Sequence, residues 1–222
     1  MRLVLATAMP LPQIVIVGAG IGGLAAALAL ARAGRRVAVL EQAATLGEVG
    51  AGLSITPNAG KALIALGLGA QLERIGSRPP RGAIRHYRTG AVLVPLPQDR
   101  TAEQYGVPLY HVHRADLHAV LLDALRDLQP GAVHVGQAVV DVDGDSETVR
   151  ARLANGDAVT ADMLIGADGI HSAVRAALFG RDRPRFTGFV AWRGLIPAAG
   201  VPDAVLDPPL AMTLGPGRLL MR

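Results

Sequence analysis

Residues Gly18-Ala19-Gly20-Ile21-Gly22-Gly23 fit the spacing G-x-G-x-x-G, and they stand where that spacing has structural meaning. Directly before them is the apolar run Ile14-Val15-Ile16-Val17, which reads as a buried strand. Directly after them an Ala/Leu-rich stretch reads as a helix from about Ile21 to Ala33, closed by Gly34. A second strand, Val37-Ala38-Val39-Leu40, follows, so the order is that of a βαβ unit in a parallel sheet with a right-handed crossover. Each glycine has a physical reason: Gly18 allows the tight turn, Gly20 lets backbone approach a pyrophosphate, and Gly23 lets the helix lie close to the strand. The helix N-terminus offers free N–H groups to an anion, with Ala19 and Gly22 completing the turn. Glu41, at the end of the second strand, stands about 20 residues beyond the glycines, where a carboxylate accepts from ribose hydroxyls; Gln42 is beside it. The motif therefore predicts the ADP half of a dinucleotide. It leaves FAD or NAD open, and the alternative is a glycine-rich turn without a ligand.

Further along, Gly47 to Gly52 is a glycine-rich loop, and Pro57 to Leu66 reads as a helix stopped by Gly67. Runs between Arg81 and Val94 flank Thr89-Gly90 as a hairpin, expected to be inserted in the nucleotide-binding sheet over about 81–110. Arg114 to Leu128 carries an apolar stripe at 117, 120, 121, 125 and 128, a helix ended by Pro130-Gly131. Four runs at 133–135, 138–142, 148–153 and 158–160 predict an antiparallel meander, the later ones joined by Asp143-Gly144-Asp145 and Asn155-Gly156-Asp157. A buried strand at Met163-Leu164-Ile165 is followed by Gly166-Ala167-Asp168-Gly169 and a helix from about His171 to Phe179. Phe186 to Ile196 reads as strand, as do 211–214 and 218–221.

Composition narrows the function classes. The chain has 222 residues with half of them apolar, enough to bury a core. The net charge of +4 comes from scattered arginines, Lys61 being the single lysine, and aromatics are few, so a nucleic-acid partner is not expected. There is no cysteine, which removes disulfides, thiolate metal sites and a cysteine nucleophile. The six histidines show no metal-ligand spacing; His111 and His113 are two apart on an extended segment. Residues 1–12 form an N-terminal extension whose apolar run, Leu3-Val4-Leu5-Ala6, is shorter than a secretory signal, and no segment reaches membrane-spanning length. A soluble, cytoplasmic protein is expected.

The stretch Asp162-Met163-Leu164-Ile165-Gly166-Ala167-Asp168-Gly169-Ile170-His171-Ser172-Ala173-Val174-Arg175 is similar to the Asp-Gly motif of group A flavoprotein monooxygenases, the salicylate and 3-hydroxybenzoate hydroxylase family. The resemblance implies FAD as cofactor, with Asp168 and Gly169 on its pyrophosphate and ribose side, and NADH or NADPH as co-substrate. The alternative for Asp168 or Ser172 is a helix N-cap. Gly47 to Leu53 with Pro57-Asn58-Ala59 resembles the family's loop and helix beneath the flavin, which puts Gly52 near the cofactor. His113-Arg114-Ala115-Asp116-Leu117 resembles the segment whose arginine contacts the cofactor, so Arg114 is a candidate; a surface ion pair with Asp116 or Asp162 is its alternative. Val139 matches a position whose backbone touches adenine, and core packing explains it equally. Phe186 to Pro197 is similar to the first strand of the family's substrate-domain sheet. Alternation along such a strand turns Trp192 and Arg193 to opposite faces, so at most one of these two substrate candidates meets the aromatic ring.

The resemblance thus implies an α/β fold: a Rossmann-type FAD-binding domain at 13–180 with a parallel sheet and an antiparallel meander, then the start of a mixed-sheet substrate domain at 181–222. It implies hydroxylation of a phenolic or aromatic acid with NAD(P)H and O2 through a flavin C4a-hydroperoxide. Family members continue beyond the counterpart of Arg222 to a third, Gly-Asp flavin motif, so a truncated chain is expected; a non-catalytic nucleotide-binding fragment is the alternative. A halogenase or epoxidase on the same fold is a further one. The halogenase signature W-x-W-x-I-P has Gly194 in place of its second tryptophan here. No catalytic base, substrate identity, regiochemistry or oligomeric state follows from the sequence.

Overall fold

The computed structural model describes residues 14–47, 52–197 and 199–222. The 1–12 extension and most of the 47–52 loop therefore lie outside the described residues. In chain order the elements are β1 (Ile14–Val17), α1 (Ile21–Arg32), β2 (Val37–Leu40), β3 (Gly52–Ile55), α2 (Pro57–Ala65), α3 (Gly69–Ile75), β4 (Arg81–His86), β5 (Val92–Pro97), α4 (Arg100–Tyr105) and β6 (Tyr110–His113). There follow α5 (Arg114–Leu128), β7 (Val133–His134), β8 (Val139–Gly144), β9 (Val149–Leu153), β10 (Ala158–Ala161), β11 (Met163–Gly166), α6 (Ala173–Phe179), α7 (Asp203–Leu206), β12 (Leu210–Gly215) and β13 (Arg218–Met221). The described parts of 1–48 and 118–191 form one compact unit, and those of 49–117 and 192–222 form another.

The first unit is built on a parallel sheet in the order β11-β1-β2-β7. Every residue of β1 and β2 is buried, as expected for central parallel strands covered on both faces. One face meets the buried stripe Gly23, Leu24, Ala27, Leu28 and Ala31 of α1. That helix ends because Gly34 adopts φ 76°, letting its N–H reach Ala31 O and the Arg35 N–H reach Leu30 O, a Schellman close. The C-terminal side of α5 joins the same unit: Gln129, just past the helix, accepts from Val37 N–H and donates to Arg35 O. On the other face, Val15, Val17, Ala38 and Leu40 share a core with Ala151, Leu153, Val159 and Ala161 of the sheet β10-β9-β8, and with Val174 of α6.

Two sequence expectations change. The 133–135 run was expected in the meander, but β7 pairs parallel with β2 through Val39↔Val133 and Leu40↔His134, leaving a three-stranded meander. A two-residue strand has too little pattern to reveal its partner, and the Ala132 and His134 carbonyls find the Val39 and Glu41 N–H groups instead. Phe186 to Ile196 forms no strand, and its apolar side chains are exposed, Trp192 at 95 %. β-propensity measures fit to a pleated, half-buried surface, and this segment has no ladder partner among the described residues.

In the second unit the order is β13-β12-β4-β5, with β4 and β12 parallel between two antiparallel hairpins, so the 81–97 hairpin shares a sheet with the C-terminal one. A separate antiparallel pair joins β3 to β6. Among the described residues no helix is long and apolar enough to cross a membrane.

His134 and His111 are both held below the usual histidine pKa by burial. The unfolded chain therefore takes up these protons first. Their neutral forms support the fold above pH 6.5, and that support is lost as pH falls through 6.5 toward the lower folded values. Melting temperature is expected to fall between pH 7.5 and 5, and His134→Gln is expected to flatten part of that slope in differential scanning calorimetry.

Candidate cofactor site

The C-terminal ends of β1 and β11 lie side by side, in register Val17↔Gly166, so the turns that leave them are neighbours. From β1 the chain runs through α1 to β2 on one side, while β11 flanks β1 on the other. This is the point of an open α/β sheet where connections diverge and a crevice opens. The two motifs read from the sequence meet here. At Gly18, with φ 102°, an added Cβ would stand 2.4 Å from Ala167 O and 3.1 Å from Asp168 Cα. At Gly23 it would stand 1.9 Å from Gly18 O. These two glycines are required by the protein's own packing.

Gly20 and Gly22 differ from them, for an added Cβ at either meets nothing within 4 Å. Gly20 is the N-cap of α1, which has neither a side-chain cap nor an acidic residue in its first turn. Among the described residues no side chain caps the start of this twelve-residue helix, and two positions beside it have free space. An anion at that point gains hydrogen bonds and the favourable end of the helix dipole.

Ala19 is held from two directions. Its N–H donates to Glu41 Oε2 at 2.8 Å, and its carbonyl accepts from Nε2 of His118 at 2.8 Å. Glu41 Oε1 accepts from the Ala43 N–H at 2.9 Å, so each carboxylate oxygen has one backbone donor and retains acceptor capacity for a hydroxyl. Gln42 is exposed next to it. His118 was not picked out from the sequence, although a signal existed: it lies three, four and seven residues before the buried Leu121, Leu122 and Leu125, a polar residue on an apolar stripe.

Asp168 is committed to α6. Its carboxylate accepts from the Ser172 hydroxyl at 2.5 Å, the Ala173 N–H at 2.7 Å and the Val174 N–H at 3.2 Å, while Ser172 Oγ caps Arg175 N–H at 2.9 Å. Gly169 turns with φ 79°. Val139 begins β8 and its side chain packs on the core. Gly52, paired with His113, and Arg114, at the start of α5, belong to the second unit. Trp192 and Arg193 are exposed outside any strand, so the expected opposition of their side chains does not arise. No group of three or more His, Asp or Glu among the described residues is disposed to hold a metal.

A family model described as an FAD binding domain matches residues 12–213. This chain belongs to that FAD-binding family. Among curated relatives, 3-amino-4-hydroxybenzoate 2-monooxygenase of Streptomyces cremeus is 41% identical over 207 residues, covering 93% of this chain and 52% of the relative. The 3-hydroxybenzoate 6-hydroxylase 1 of Aquipseudomonas alcaligenes is 39% identical over 192 residues, covering 86% and 49%. Among solved structures, Klebsiella pneumoniae HpxO complexed with FAD and uric acid aligns with a TM-score of 0.78 at 28% identity, over 94% of this chain and 52% of that one. The chain spans about half the length of the curated relatives it matches.

Proposed function

We propose that this FAD-binding chain holds the ADP half of FAD at the β1/β11 crevice and serves an aromatic-ring monooxygenase that uses NAD(P)H and O2 on a small aromatic acid. The observation that carries the reading is the open start of α1 at Gly20 and Gly22, set beside Glu41 and the Asp168 turn. Bound flavin would supply the redox chemistry, accepting hydride from NAD(P)H and activating O2. The chain's part is to bind and orient. In this assignment Gly18, Ala19, Gly20, Gly22 and Gly23 form the pyrophosphate cradle, Glu41 and Gln42 face the ribose, and Val139 lies toward adenine. Asp168 and Gly169 wall the other side; Gly52 and Arg114, both in the second unit, are kept as cofactor candidates on the resemblance of their own segments. Trp192 and Arg193 are retained as substrate candidates of the whole enzyme. The cytoplasm, with NAD(P)H at hand, is the compartment this reading implies.

Titrating the purified chain with FAD and following flavin fluorescence tests it. Saturable quenching at one FAD per chain is the expected result; unchanged fluorescence up to concentrations of about 100 μM, a binding energy below roughly 5.5 kcal/mol, removes the assignment. NADH oxidation with salicylate or 3-hydroxybenzoate present then separates the two roles: a turnover stimulated by the aromatic acid marks a working hydroxylase, and FAD retention without it marks a binding module.

A further inference from the structure

We propose that His118 is a positioning residue for the cofactor turn, fixing the Ala19-Gly20 peptide so that the Gly20 N–H faces the pyrophosphate. The inference rests on the FAD reading of this same site. His118 is the one polar side chain that is buried among the described residues, 6 % exposed, and its Nε2 lies 2.8 Å from Ala19 O. A carbonyl can only accept, so Nε2 carries the proton. Burying an imidazole without a partner is costly, and this bond is what makes the position tenable on an otherwise apolar helix face.

The consequence follows from peptide geometry. In a planar trans peptide, C=O and N–H point in opposite directions. Holding Ala19 O toward His118 therefore sends the Gly20 N–H the other way, away from His118, at a residue whose added Cβ would meet nothing within 4 Å. Glycine on the far side of that peptide makes a flip easy, since it accepts either sign of φ. Flipped, the peptide would present a carbonyl oxygen to phosphate oxygens and turn its N–H inward. The Glu41 contact to the Ala19 N–H restrains the preceding peptide only, so the one after Ala19 depends on His118.

The test compares His118→Leu, which keeps apolar volume and removes the donor, with His118→Gln, whose amide nitrogen reaches about as far as Nε2. Both are made in the full chain and read by FAD fluorescence titration, by melting temperature without ligand, and by the Gly20 amide resonance on adding ADP. His118→Leu is expected to raise the FAD dissociation constant about ten- to hundredfold, the range for losing one hydrogen bond to a charged group, while His118→Gln stays within about threefold. The ADP-induced downfield shift of the Gly20 amide is expected in the wild type and in His118→Gln and lost in His118→Leu. A role confined to stability would lower the melting temperature and leave that shift in place, which would overturn the proposal, as would equal FAD affinity in all three proteins. A wild-type chain that binds neither FAD nor ADP removes the cofactor reading itself, and this inference with it.

Discussion

Gly23→Ala is expected to destabilise the first unit severely and abolish FAD binding, whereas Gly20→Ala is expected to leave the fold intact and weaken FAD binding alone. At Gly23 a Cβ would sit 1.9 Å from Gly18 O, with Ala167 Cβ at 3.3 Å. The obstructing atom is backbone, part of the Gly18–Ala19 peptide that the Ala19 N–H bond to Glu41 Oε2 holds, and cannot rotate away. Overpacking costs about 1–3 kcal/mol and more where backbone must shift, which outweighs the gain of about 1 kcal/mol from alanine's better helix propensity. At roughly 2–4 °C per kcal/mol for a chain of this size, calorimetry should show a drop of several degrees. Gly20 has φ −70° and ψ 176°, a conformation alanine adopts freely, and its Cβ would touch no protein atom. Its melting temperature should match the wild type while FAD affinity falls about tenfold, roughly 1.4 kcal/mol. If Gly20→Ala binds FAD as the wild type does, the open space beside α1 is not where the pyrophosphate lies.

That contrast also explains how much the sequence revealed. The β1-α1-β2 unit was legible because its signals are local: a run of β-branched residues, glycines at fixed offsets, a helix with its own stop. Glu41 was legible for the same reason, being fixed at the end of β2. The β11 turn was found through the resemblance of its Asp-Gly stretch, and the structure then brought it against Gly18, which no local pattern states. The parallel pairing of β4 with β12 joins segments more than a hundred residues apart, and a parallel pair has no turn to announce it. For 186–197 the sequence carried composition without a partner, so an apolar, aromatic segment was read as strand and stands exposed. His118 escaped because a stripe of leucines is read as packing, and a single polar residue on it counts as noise until its partner, the Ala19 carbonyl, is seen.

Asp168→Ala is the second large effect expected, and it separates scaffold from ligand contact. The helix α6 has seven residues, too short to be stable alone, so its start depends on capping and on Val174 in the core. Removing the carboxylate strands the Ala173 and Val174 N–H groups and the Ser172 hydroxyl. The loss of the cap is worth about 0.5–2 kcal/mol, and the unsatisfied donors add to it. Asp168→Asn keeps one acceptor oxygen and should fall between. Ser172→Ala gives the control: it removes the bond to the Arg175 N–H and the hydroxyl's bond to Asp168 Oδ1, and leaves both N–H bonds to Asp168 in place. A carboxylate has about four acceptor positions and Asp168 uses three of them within the protein, which leaves one for a cofactor hydroxyl or a bridging water. If that position is used, Asp168→Ala lowers FAD affinity well beyond what its melting temperature shares with Ser172→Ala. If affinity in the two variants instead tracks stability alone, Asp168 acts only by holding the turn that Gly18 packs against, and its assignment as a cofactor ligand falls.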